Sequence, residues 1–188
     1  MGREGFEQLL GFHAAPTLRG LKVASLLSFQ KSKFEDFDAL LASYDSCFRC
    51  NGISVFRVAE GTEYVSLIFY RAAALAKWLK QPRVEAMLME YGYRAEDTLE
   101  EKLEYLSLRM RVKKSFPHEV GLFLGYPPED VAGFIAHHGR DFKCSGYWKV
   151  YANEERTREL FELYSACTHE FCMRLEEGQC LRELLAAV

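Results

Sequence analysis

The stretch from Ile53 to Arg71 limits the fold more than any other part of the chain, because its hydrophobic period is two. ISVFRVA and EYVSLIFYR each alternate, and they meet at Glu60 and Gly61. Alternation sends successive side chains to opposite faces of a sheet, and a glycine at the junction suits a tight hairpin turn. Two further runs read as strands. VASLLSF, from Val23 to Phe29, is short, apolar and bounded by lysine-containing segments, and GYWKVY, from Gly146 to Tyr151, is rich in aromatic and β-branched residues.

Between these runs the period becomes helical. Residues 3–12 read as a short helix that Pro16 and Gly20 stop, leaving HAAPTLRGLK as an ordered loop. Ser32 reads as the N-cap of a helix carrying Phe34, Phe37, Leu40, Leu41 and Tyr44 to a stop at Asn51 and Gly52. Helices are expected at 72–80, 83–91 and 98–114, the last with Leu99, Leu103, Leu106 and Met110 on one stripe. Ser115 is placed to cap a short helix running from Pro117 to Gly125, and Pro128 opens another that stops at Gly139. Asn153 then caps a long helix whose stripe of Leu160, Leu163, Tyr164, Cys167, Phe171 and Leu175 is expected to dock on the sheet. Strands and helices mix without strict alternation, which predicts an α+β domain spanning residues 1–188. The expected sheet is small, mainly antiparallel and of about four strands. Helices gather mainly on one face and are inserted between strands 3 and 4, and a ferredoxin-like β-α-β-β-α-β core fits this order.

Charge and composition exclude several classes. A net charge of −3 over 188 residues supplies no field for nucleic acid. The two short helices are no helix-turn-helix, because PPEDVAGFIAHHG carries acids at its start and no Lys or Arg before Arg140. The first residues, MGREGFEQLL, lack the pattern of a secretory signal, and no apolar run approaches the ~20 residues of a membrane span. A cytoplasmic location is expected, with the six cysteines as reduced thiols.

Two blocks carry a resemblance. His13, Pro16, Thr17, Leu18, Gly20, Leu21 and Lys22 form the first, and FPHEVGLFLGYPPEDVAGFI followed by CSGYWKVY the second. Together they resemble an uncharacterised family, a domain of unknown function common in anaerobic Firmicutes, over nearly the whole chain. The resemblance implies a bacterial cytoplasmic protein of one domain with no established activity. Members often carry Cys after the first histidine, where Ala14 stands here.

Candidate chemistry concentrates between Phe116 and Tyr151. His118 and Glu119 are adjacent on a helix and so point to different faces. His118 is the candidate general acid or base, since imidazole titrates near neutrality; the plainer reading makes it a helix-end residue beside a dipole-complementing Glu119. His138 shares a stripe with Val131, Phe134 and Ile135 and reads as a core or helix-end residue. PTLRGLK offers amides freed by Pro and Gly together with Arg19 and Lys22, which could cradle phosphate or carboxylate. It matches neither the P-loop nor the GxGxxG spacing, so no cofactor is named. Alternation in the last strand puts Tyr147, Lys149 and Tyr151 on one face. The first hypothesis is therefore a small-molecule site in which His13, Thr17, Arg19, Lys22, Arg71, Tyr126, Tyr147, Lys149 and Tyr151 hold an anionic ligand, with His118 moving a proton. The second is a metal or thiol site built from Cys47, Cys50, Cys144, Cys167, His169 and Cys172. Its CxxC closes a helix, where a thioredoxin-type motif would open one. The third is a partner-binding scaffold without chemistry.

Overall fold

The computed structural model describes residues 1–112 and 117–186. The hairpin forms where alternation requires it: β2 (Ser54–Glu60) pairs antiparallel with β3 (Tyr64–Tyr70), and β1 (Ala24–Gln30) pairs with the other side of β3. The resulting order is β1-β3-β2. Between Arg57 and Ala59 the register slips, so Val58 is the extra residue of a bulge, and its side chain is buried.

The pleat explains how the helices are distributed. Leu27 and Phe29 of β1 join Val65, Leu67 and Phe69 of β3 in one core, while Ala24 joins Val58, Ile68 and Tyr70 in another. Both phases of the alternation are apolar, so neither sheet face can be left to water. Helices accordingly cover both faces, where helices mainly on one face were expected. The first core takes α1 (Arg3–Leu18), α2 (Phe37–Ala42), α3 (Asp45–Cys50) and α10 (Leu181–Ala186). The second takes α4 (Ala72–Leu79), α5 (Pro82–Glu90), α6 (Leu99–Val112), α7 (Val120–Phe123) and α8 (Pro128–Ala136). A buried ion pair from Arg109 of α6 to Glu119 fastens α7 to this layer.

Three expectations change here. His13–Lys22 is no loop: α1 continues through Pro16 to Leu18, and the ring costs only the N–H that would reach Phe12, which is 65% exposed. The helix ends in a Schellman motif, with Leu21 N–H donating to the Pro16 carbonyl at 2.8 Å, Gly20 N–H to Thr17 at 3.1 Å, and Gly20 at φ 79°. Ser32 lies in a single 3-10 turn, and the cap of α2 is Asp36, which accepts from Ala39 N–H at 2.9 Å. The long helix expected there is two short ones, α2 and α3. The cap expected at Ser115 lies outside the described residues.

GYWKVY does not join the main sheet. Only Lys149 and Val150 form β5, paired with β4 (Cys144–Ser145) in a separate two-stranded ribbon. The main sheet therefore has three strands. Its order matches the first three strands of a ferredoxin-like core, but no described strand pairs with the free edge of β1. The long helix α9 (Glu154–Glu176) lies on the ribbon and on α1 instead of on the sheet. Its Tyr164 and Phe161 pack with Trp148 and Val150, Phe171 enters the first core, and Leu163 remains exposed.

Candidate functional site

A cleft of about 270 Å³ lies between α7, α8 and the ribbon. Pro128 opens α8 and fixes Val131 and Phe134 toward it, and the ribbon presents Trp148 and Lys149. Its walls are aromatic: Tyr126 stacks on Trp148 with centroids 4.9 Å apart, and His118 lies 5.4 Å from the Phe134 ring. Gly121 lets Tyr126 and Val131 approach, since a Cβ there would press on both side chains.

Asp130 anchors the cleft. Only 2% exposed, it accepts Trp148 Nε1–H on Oδ2 at 2.8 Å, and the amides of Tyr151 and Ala152 on Oδ1 at 2.8 and 3.0 Å. Those three donors leave both of its oxygens committed. Lys149 donates from Nζ to the Gly139 carbonyl at 2.7 Å and lies over the Phe142 and Phe134 rings at 4.9 and 5.7 Å. The acceptor carbonyl belongs to a turn in which His138, Gly139 and Asp141 all have positive φ. Two of these carry side chains, and that conformation is costly for them, so the turn is held by its surroundings.

The structure brings together His118, Tyr126 and Lys149 from the expected set, and leaves the others elsewhere. Lys149 does not sit between tyrosines: Tyr147 turns to Phe161 and Tyr164, with its hydroxyl 3.4 Å from Thr168, whereas Tyr151 stacks against His137 and closes on Gly133. Two-residue strands are too short to carry alternation from 147 to 151. His13 is exposed on α1 beside Phe12. Thr17 bonds Ser25 at 2.8 Å, and Arg19 donates to Leu184 at 3.1 Å. Arg71 caps α1, donating to the carbonyls of Thr17 and Leu18, and reaches the Asn51 carbonyl at 3.0 Å. PTLRGLK is thus the carbonyl end of a helix, where the dipole favours cations over anions. Lys22 does not line the cleft; it is buried, bonded to the Ala24 carbonyl and 5.5 Å from the Tyr126 ring centroid. Burial alone pulls its ammonium down to about 7.

The thiols do not converge. Among the described residues no group of His, Cys, Asp or Glu is placed to hold a metal. Cys47 lies within α3 and Cys50 ends it, Cys144 is buried in the ribbon, Cys167 and Cys172 lie along α9, His169 is exposed, and all six thiols, Cys180 included, are free. Burial pushes the Cys47, Cys167 and Cys172 thiols up, away from the reactive thiolate.

Asp130, Phe134 and Trp148 were missed as site residues. An acid in the first turn of α8 reads as a dipole complement, and only the fold shows that it is buried under an indole. No helix of the described residues is long and apolar enough to cross a membrane. A family model described as protein of unknown function, DUF3793, matches residues 10–185. No curated protein and no solved structure matches the chain.

Proposed function

The chain belongs to the DUF3793 family, whose description assigns no activity, and from the chemistry of the cleft we propose that it binds a small anionic molecule with a flat apolar body. The observation that carries this reading is the Lys149 ammonium set beside an aromatic slot. An ammonium has three donors, and one is spent on Gly139, so the others can serve a carboxylate or similar group. Val120, Val131, Phe134, Tyr126 and Trp148 supply the apolar surface that would hold the body of the ligand. Both oxygens of Asp130 are occupied, so the carboxylate lining the cleft does not orient His118. Binding is therefore better supported than proton transfer.

Titration with phenylacetate and the neutral phenylacetamide, followed by amide NMR, tests this. Lys149→Met should weaken phenylacetate by roughly tenfold or more, the worth of one charged hydrogen bond, and leave phenylacetamide unchanged. The reading fails if neither probe shifts the resonances of Phe134 and Trp148, or if both probes lose affinity equally.

A further inference from the structure

A second cleft, of about 540 Å³, shares only Trp148 with the first. Three helices begin on it: α5 through Gln81, Pro82 and Arg83, α8 through Pro127, Pro128 and Glu129, and α9 through Asn153, Arg156 and Thr157. None of the three caps supplies a side-chain acceptor to its helix. Proline opens α5 and α8, and the Asp130 and Glu154 amides already donate to the Pro127 and Ala152 carbonyls at 3.0 Å, so the amides left over, those of Arg83, Glu129, Glu155 and Arg156 among them, put partial positive charge toward one space.

Helix ends alone occur in every protein, and here an unpartnered threonine, buried except where it meets the cleft, adds the pointer to a ligand. Thr157 lines the cleft, is 5% exposed, and its side chain hydrogen-bonds to no described group. Its oxygen is not sealed from solvent, so the partner it lacks within the fold is one that the cleft can supply. Two guanidiniums, Arg83 and Arg156, also line the cleft, and neither has an ion pair among the described residues. Against them stands one lining carboxylate, Glu129, which sits 3.5 Å from Asn153 Nδ2. Of the other acids in these first turns, Glu154 is paired with Arg158 at 2.7 Å, Asp130 lines the first cleft, and Glu85 and Glu155 do not line this one. The lining therefore carries two fixed cations and one anion before the helix ends are counted.

We propose that this cleft is a phosphoryl-binding site, taking inorganic phosphate or the phosphate group of a small monoester. Arg83 and Arg156 hold the oxyanion through planar forks, Thr157 donates its hydroxyl, and the α9 amides complete the shell. The nitrogens of Trp78 and Trp148 are committed to the Leu122 carbonyl and to Asp130, both at hydrogen-bond distance. Both indoles line the cleft and offer flat apolar surface to the remainder of an ester.

Calorimetric titration at low salt with inorganic phosphate and with adenosine 5′-monophosphate, each against chloride at equal ionic strength, tests the site. Arg83→Gln and Arg156→Gln should each weaken phosphate about tenfold, and Thr157→Val by about threefold, with unchanged circular dichroism. Lys149→Met should leave phosphate binding as it is, which separates this site from the first cleft. Phosphate bound as tightly as the monoester assigns a free-ion site; a tighter monoester, with adenosine itself weak, assigns the indoles to the ester body. The proposal is overturned if neither anion binds above chloride, or if binding survives the loss of both arginines.

Discussion

Lys22 shows what the interior demands of one side chain. Its ammonium is buried, bonded to the Ala24 carbonyl and set over the Tyr126 ring, with no carboxylate paired to it among the described residues. Desolvation lowers its pKa from 10.5 to about 7. Between about pH 7 and 10 the unfolded chain therefore holds a proton that the folded chain has released, and this group makes stability rise with pH across that window. Below pH 7 both states are protonated, and the whole cost of burying the charge is present. Lys22→Met removes that cost. The variant should be more stable than the parent at pH 6, with the difference shrinking steadily toward pH 10. Urea unfolding at several pH values measures this directly, and a difference independent of pH would show that the amine is not desolvated. Subtracting the parent also removes the buried thiols, which titrate nearby and act in the opposite direction.

At the scale of elements, legibility followed the strength of the local signal. The hairpin, β1, α4, α5 and α6 fall where period and punctuation place them, because each carries its own apolar stripe. Pro16 misled, since a proline near a helix end costs one exposed hydrogen bond, and the true stop is Gly20 in a left-handed conformation. Arg19 and Arg71 read as anion ligands for the same reason: a cation beside a glycine turn looks alike whether the turn begins a helix or ends one. His118, Tyr126 and Lys149 were legible in the first cleft because polar and aromatic residues are dense there. The second cleft was not, because three helix starts far apart in sequence become one site only through tertiary packing. GYWKVY has strand composition, yet Tyr147 and Trp148 spend their bulk against α9, and the ribbon is held by close approaches more than by pairing. Gly133 is the clearest of these, because a Cβ there would lie within the Tyr151 side chain. Gly133→Ala gains about 1 kcal/mol of helix propensity and should still destabilise, since overpacking costs roughly 1–3 kcal/mol. It should also displace Lys149 and weaken phenylacetate, a result that calorimetry of the variant checks. Gly2→Ala meets nothing within 4 Å and serves as the neutral control.

For the whole molecule, the sheet separates two cores that are closed in different ways. The second core is closed by helices contiguous in sequence, from α4 to α8, and both clefts lie in that layer or at its border with α9. The first is closed by the two ends of the chain. Leu181, Leu184 and Leu185 of α10 pack with Phe6, Leu10 and Phe171. Glu7, buried on α1, accepts the Leu181 amide at 2.8 Å and the Tyr44 hydroxyl, so one carboxylate joins the first helix, the last helix and α3. Leu184→Ala should cost about 2–5 kcal/mol, the range for a buried leucine. Removing everything after Gly178 takes all three leucines and leaves Glu7 short of a donor. That loss rivals the ~5–15 kcal/mol by which a domain of this size is stable. The truncated chain should therefore lose its cooperative urea transition and its near-ultraviolet circular dichroism altogether. Because β1 and β3 serve both cores, phosphate and phenylacetate binding should disappear with them, although neither cleft contains a residue beyond 160. A truncated chain that kept either binding activity would show that the α4–α8 layer folds without the first core.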